Sequence, residues 1–420
     1  MNKKLLKNIE WSILICVVIL IAIGCIALYS ATQSTEHDEL IKQLVWLGVS
    51  IPIVIGIISI DYEVIIKFAP VGYGIILALL VGVLFTNPIN GASSWFIMGP
   101  ISIQPAEFAK IFVVLTLALA ISKVQENGKS EISKPQKLIL CLLVVAIPVV
   151  LITRQPDYGT AIAFVIATIF MLFASGINKK YILATLLLIV IAVPLLYLYV
   201  LPSHAKTRID VFLNPDLDPR GSGYNIIQSK LAIGSGQLLG MGVKQGNQTQ
   251  LGYLYPKTTD FIFSVIGEEM GFVIAGLVIV LYVVLITKII YIAKTAKDDK
   301  GSYVAIGIAG IFVFHMVENI GMTMGLLPIT GVPLPFVSYG GSSLLTNLIL
   351  VAIVLNISGR RKKSLFIEWV SRQKNEKSRQ TKYVNASFVY WRYDLRERLT
   401  GRRRKRWKVI LKNWRLGTWS

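Results

Sequence analysis

The chain has 420 residues, 54% of them hydrophobic and only 16% charged, with a net charge of +20 and a mean hydropathy of +0.63. A soluble domain carries about 25% charged residues, so a soluble globule and a disordered chain are excluded. The charge is uneven: residues 360–420 hold 20 Lys plus Arg against 4 Asp plus Glu, a net of +16 that leaves about +4 for residues 1–359. The composition therefore divides the chain into a multi-span membrane region, residues 1–359, and a basic tail, residues 360–420.

A spanning helix needs about 20 mostly apolar residues. Taken in chain order, such runs fall at roughly 11–30, 43–60, 68–86, 105–122, 138–153, 158–176, 181–200, 261–287, 302–325 and 340–357. The expected fold is thus all-α, a polytopic bundle of about ten transmembrane helices. The first run lacks a small-residue cleavage site and reads as a retained anchor. With the N-terminus taken as cytoplasmic, the inner segments carry MNKKLLK, Lys67, the stretch from Lys123 to Lys137, Lys179, Lys180, the stretch from Lys288 to Lys300, and RRKK. The outer segments TEHDEL, NPINGASSWFIMGPISIQ, RQPD and LLPITGVPLPFVSYG hold a single Arg. By the positive-inside rule both termini are cytoplasmic.

One outer segment is long. Residues 201–260 connect spans seven and eight, and loops of that length usually carry function. Within it YNIIQSKLAI has helical apolar spacing, and Gly234, Gly236, Gly240 and Gly242 follow. The expectation is a short helix at the outer surface followed by a mobile glycine-rich stretch.

Cys16, Cys25 and Cys141 all lie in apolar runs, and His37, His204 and His315 are scattered, so neither a disulfide framework nor a metal cluster is indicated. Ionisable residues at membrane depth are costly and become functional candidates by default. Glu107 and Lys110 stand at i and i+3 in QPAEFAK; Arg154, Gln155 and Asp157 lie in RQPDYGT between spans five and six. Asp260 begins span eight in TTDFIFSVIGEEMG, with Glu268 and Glu269 two turns deeper, and Glu318 and Asn319 sit within span nine. Each has a structural reading as well. Glu107 and Lys110 could be an intrahelical ion pair, Asp260 a helix N-cap, and Glu268 and Glu269 partners of Lys110 or of a backbone donor. Composition and spacing describe an outward polar cavity that suits a transporter as well as a membrane-embedded transferase.

The strings GSGYNIIQSKLAIGSGQLLGMG, TTDFIFSVIGEEMG, QPAEFAK, QPDYGT and GLLPITGVPLPFVSYGGSS, in these chain positions, resemble the SEDS family of bacterial cell-wall polymerases, over about residues 12–357. VKQGNQTQLGYLYPKTTDFIF and NIGMTMGLLPITGVPLPFVSYGG look more like the elongation branch, RodA, than the division branch, FtsW; a sporulation-type member is the remaining option. The resemblance implies a peptidoglycan glycosyltransferase of the bacterial cytoplasmic membrane. It would join lipid II disaccharides into β-1,4 strands at the outer face, inverting the anomeric centre. The family's catalytic carboxylate falls on Asp260, and its basic position in QPxEFxK falls on Lys110.

One-step inversion needs a base for the acceptor hydroxyl, and a diphosphate leaves readily where cationic or metal groups meet its charge. Asp260 is the expected base. Lys110 and Arg208 are the first candidates for phosphate contacts, followed by Arg154 and Lys230, with Glu107, Gln155, Asp157 and Trp95 as further substrate-facing candidates. Trp95 could stack on a sugar or anchor at the interface; many family members carry a basic residue just before it, where this chain has Ser94. Asp157 could equally hold helices together. This chemistry assigns no cofactor, and a divalent cation could serve the diphosphate. The family implies a class B penicillin-binding protein transpeptidase and the rod-shape elongation complex as partners. The tail, with GRRRKRWKVILKNWR, is expected either to meet anionic lipid at about 1 kcal/mol per basic residue near the surface or to be disordered with no specific role, and nucleic acid is not an expected partner. The competing functions are a flippase for lipid-linked precursor and a non-catalytic scaffold.

Overall fold

The structure is a computed structural model that describes residues 8–87, 93–99, 101–178, 180–181, 183–185, 187, 195–200, 203–218 and 221–361. The basic tail beyond Arg361 and residues 182, 186 and 188–194 of the expected seventh span lie outside these residues.

Among the described residues the regular structure is helical apart from one short hairpin. In order come α1 (Trp11–Ala31), α2 (Asp38–Ser59), α3 (Tyr62–Gly82), the antiparallel strands β1 (Phe96–Met98) and β2 (Ile101–Ile103), α4 (Pro105–Val124), α5 (Pro135–Thr153) and α6 (Tyr158–Ala174). Then follow α7 (Ser203–Leu213), α8 (Ser222–Ser235), α9 (Asn247–Gln250), α10 (Ile262–Thr295), α11 (Asp299–Thr323) and α12 (Gly341–Arg360). Seven of them, α1, α2, α3, α5, α10, α11 and α12, are long and apolar enough to cross a bilayer, and α6 is a shorter apolar helix. The protein is an integral membrane protein. Helix α4, 20 residues long, is buried along most of its length.

Burial sorts the helices by position. Helices α11 and α12 are buried over most of their residues, whereas α2 and α3 expose Ile41, Val45, Ile55, Phe68 and Val71. Apolar side chains that would be costly in water are at home against lipid, so α2 and α3 form a lipid-facing flank around a centre of α4, α11 and α12. Polar residues close the helix ends: Asp61 accepts from the Glu63 N–H at 3.0 Å, Asp157 from Thr160 at 3.0 Å and Asp298 from Gly301 at 2.8 Å.

The two ends of the bundle differ in charge. At the end shared by Glu10, Asp61 and Asp298, ion pairs join Glu10 to Lys288 and Arg361, both at 3.1 Å, and Asp61 to Arg360 at 3.1 Å. The opposite end carries the hairpin, the segment between α8 and α10, and the proline-rich turn between α11 and α12.

Helix α10 is broken at Gly271, whose φ of 75° and ψ of −177° lie in a region reserved almost wholly for glycine. The 24 residues beyond the kink are long enough to cross alone. Their predecessors, residues 262–270, belong to a layer over that end of the bundle. The break frees backbone groups, and the glycine-rich stretch takes them up. Met241 and Gly242 donate to the carbonyls of Glu268 and Glu269 at 2.9 and 3.0 Å, while Phe272 and Val273 donate to Gln237 and Leu238 at 2.9 and 3.1 Å.

The expectation of a mobile glycine-rich stretch is therefore corrected: residues 236–242 are stitched to the kink of α10. The glycines are there for close approach, since a Cβ on Gly236 would stand 1.8 Å from the Gly267 carbonyl oxygen. Nor does α8 merely lie on the surface. It packs on the first turns of α10, where the buried Ser229 hydroxyl meets Ser264 Oγ and the Thr323 carbonyl, each at 2.6 Å.

Candidate active site

The site is organised by the turn that precedes α10. Three successive carbonyls of this turn are each held by a different donor: Thr258 by the Tyr339 N–H at 2.9 Å, Thr259 by the Ser338 hydroxyl at 2.6 Å, and Asp260 by Asn319 Nδ2 at 3.0 Å. Asn319 also donates to the Val332 carbonyl at 2.8 Å, which ties the proline-rich turn to the same point. The backbone carrying Asp260 is thus fixed by residues from α11 and from the turn between α11 and α12.

The Asp260 side chain is not a helix cap. Helix α10 begins at Ile262 with Phe261 in the capping position and no side-chain cap bond. The carboxylate instead stands by Gly331, where a Cβ would lie 3.5 Å from Oδ2. Burial pushes the Asp260 carboxyl up from its ordinary value, against a hydrogen bond from Thr259 and the Arg208 charge, which both pull it down. A raised value makes an ionised carboxylate a better proton acceptor.

Arg208, on α7, is exposed and reaches the Ile329 carbonyl at 3.4 Å. Together with Thr153, Tyr158, Ile329 and Thr330 it lines a cavity of about 350 Å³. Thr330 in turn donates to Glu318 Oε1 at 2.7 Å. This cavity shares Val149 and Val165 with a second, apolar one of about 380 Å³, which runs between α5 and α6 to Leu138 and Ile177. A cation and hydroxyls at one end thus pass into hydrocarbon walls at the other.

The remaining expected residues divide. Lys110 has no exposed surface; it pairs with Glu107 at 2.8 Å and approaches His315 Nε2 at 3.4 Å, while His315 Nδ1 faces the Pro333 carbonyl at 3.1 Å. The i, i+3 pair is therefore buried, and through His315 it links α4 to α11 and the proline-rich turn. Asp157 caps α6 and accepts from Gln104 Nε2 at 2.9 Å, and Gln155 is buried with its amide on the Leu80 carbonyl at 3.1 Å. These two hold helices together. Arg154 and Lys230 are exposed, and Lys230 lies against Gly325 rather than in the Arg208 cavity. Trp95 is half-buried, next to Ser94, whose hydroxyl donates to the Gln155 carbonyl at 3.2 Å.

Glu268 and Glu269 pair with the 244–250 segment and Ser30; neither meets Lys110. Glu268 accepts from Gln248 N, Thr249 N and Thr249 Oγ1 at 2.7, 3.0 and 2.6 Å, and Glu269 accepts from Ser30 Oγ and Gln250 Nε2 at 2.7 and 2.9 Å. Sequence reasoning missed Lys257. Its ammonium donates to the Thr249 carbonyl at 2.9 Å, three residues before Asp260, and burial pushes its value down against the charges of Glu269 and Glu39. The cation in YPKTTD was the available signal. Among the described residues no three His, Cys, Asp or Glu side chains gather in a metal-binding arrangement.

Residues 10–363 match the FtsW/RodA/SpoVE family, whose members are described as cell cycle proteins. The chain belongs to that family. It is 38% identical over 366 residues to a probable peptidoglycan glycosyltransferase FtsW of Trichlorobacter lovleyi, covering 84% of this chain and 94% of the relative. It is 34% identical over 358 residues to the peptidoglycan glycosyltransferase MrdB of Escherichia coli K12, covering 84% and 95%. Among solved structures, the rod shape determining protein RodA of Thermus thermophilus matches with a TM-score of 0.64 at 27% identity, covering 85% of this chain and 98% of that one. A chain from a peptidoglycan synthase complex that coordinates polymerization and crosslinking matches with a TM-score of 0.71 at 28% identity, covering 83% and 97%.

Proposed function

We propose that this protein is a peptidoglycan glycosyltransferase that polymerises lipid II into β-1,4 glycan strands, with Asp260 as the general base. The observation that carries the reading is the placement of that carboxylate. It is held on a fixed turn, is released from any capping duty, and stands by Gly331 under the electrostatic influence of Arg208, which itself lines a cavity that turns apolar. In the reaction the acceptor hydroxyl gives its proton to Asp260 as its oxygen bonds to the donor's anomeric carbon. The bond from that carbon to the diphosphate oxygen breaks, and the diphosphate leaves with the electron pair. Arg208 meets the growing negative charge, and the apolar cavity accepts a polyprenyl chain. Attack from the face opposite the leaving group gives inversion.

The active end faces the outside of the cytoplasmic membrane. The basic end, with Lys288, Lys297, Arg360 and Arg361, faces the cytoplasm together with both termini, in keeping with the positive-inside rule. The wording of the 243–263 and 319–341 segments favours the elongation branch over division or sporulation. A class B penicillin-binding protein is the partner; the likeness to a chain from a complex that coordinates polymerization and crosslinking supports this. The test is purified protein with lipid II, scored for long glycan strands, alone and with the transpeptidase, for wild type and Asp260→Ala. Strands from wild type only are expected. Strands from both remove Asp260 from the mechanism, and strands from neither return the reading to transport or scaffolding.

A further inference from the structure

The geometry points to Glu268 as a positioning residue for the Asp260 turn, acting through Thr249 and Lys257; this rests on the reading of Asp260 as the base. The chain of contacts is continuous. Glu268, fully buried on α10, receives two backbone N–H groups and one hydroxyl from the α9 segment. Thr249, the residue held most closely, offers its carbonyl to the Lys257 ammonium at 2.9 Å. Lys257 opens the turn whose last bond, Phe261 N–H to the Pro256 carbonyl at 3.2 Å, closes around Asp260.

Three donors from α11 and the proline-rich turn already hold residues 258–260 on one side. Glu268 supplies the restraint on the other, and Glu269 supports it through Ser30 and Gln250. Burying a carboxylate costs several kcal/mol, and an apolar side chain would fill this space at no such cost. The three hydrogen bonds that Glu268 accepts come from α9, the segment that leads into the catalytic turn. Proton transfer is sensitive to a misplacement of about 1 Å, which is the error this latch prevents.

A glutamine at 268 keeps the size but turns one acceptor into an NH2 donor facing other donors. The experiment measures kcat and KM for lipid II polymerisation by the full chain in detergent, with melting temperatures alongside. Glu268→Gln is expected to lower kcat about tenfold with KM within about twofold. Thr249→Val should lower kcat in the same way, and Thr249→Ser, which keeps the hydroxyl, should restore most of it. The double variant Glu268→Gln, Thr249→Val should be no worse than the weaker single one, because both remove one link.

Unchanged kcat in Glu268→Gln, or losses that multiply in the double variant, would overturn the proposal. If Glu268→Gln does not fold, Thr249→Val against Thr249→Ser decides it: equal kcat in the two overturns it. Wild type that makes strands while Glu268→Gln also makes them at full rate refutes the latch alone. Wild type that makes none refutes the reading beneath it.

Discussion

Replacing Gly271 by Ala tests whether the layer over the active end is as tightly built as described. Two penalties follow from the geometry. The backbone at φ 75°, ψ −177° is open to glycine and costs another residue about 1–3 kcal/mol. The new Cβ would also stand 2.2 Å from Gly240 N and 2.5 Å from the Leu239 carbonyl carbon, both backbone atoms, and relieving such overpacking costs about 1–3 kcal/mol more. The total of about 2–6 kcal/mol must be met by lifting residues 237–242 off the kink, with loss of their four backbone bonds. Gly276 is the internal control: it lies five residues further along the same helix, and a Cβ there meets nothing within 4 Å. Gly276→Ala should be neutral or stabilising by up to about 1 kcal/mol. Thermal unfolding of the purified protein in one detergent, wild type beside both variants, reads the difference. Equal melting of Gly271→Ala and Gly276→Ala would refute the docking of the glycine-rich stretch on α10.

Asp260 predicts opposite signs for activity and stability. Its folded-state value lies above the unfolded one, so its contribution to stability is full at low pH and is lost as pH rises through the raised value. Asp260→Asn should therefore abolish strand synthesis yet melt higher than wild type at neutral pH, an advantage that vanishes below about pH 4, the ordinary aspartate range. Arg208 holds that carboxyl down, so Arg208→Gln should move the acidic limb of the wild-type rate profile to higher pH, and a profile that stays in place counts against their coupling. Lys110→Met should strand the buried Glu107 and cost about 3–5 kcal/mol. Adding Glu107→Gln should recover most of the melting temperature and, if the pair is a strut, most of the activity; recovered stability with no recovered activity would make Lys110 a substrate contact.

The helical, membrane-embedded character was legible because twenty apolar residues in a row have few other uses, and the family was legible because several separated strings agree in order. The i, i+3 spacing of Glu107 and Lys110 announced a pair, but spacing says nothing of depth, and only the approach of His315 from α11 shows that the pair is sealed. The glycine-rich stretch misled for a physical reason. Glycine permits both freedom and close approach, and a single sequence cannot distinguish them without the partner, here the kink at Gly271, some thirty residues away. Lys257 was visible as a lone cation, yet its role depends on the carbonyl of Thr249, which no local pattern specifies. Asp157 and Asp260 look alike as acids at helix starts; the bond to Thr160 makes one a cap, and Phe261 takes that place for the other.

The anchoring of the Asp260 backbone by Asn319, Ser338 and Tyr339 has a consequence for biosynthesis. Every one of those donors is translated after the aspartate it holds. A nascent chain paused before Asn319, or one truncated there, would carry the acidic residue without any of these three donors. On the reading of Asp260 as the general base, a copy that ends before Asn319 is expected to be inert.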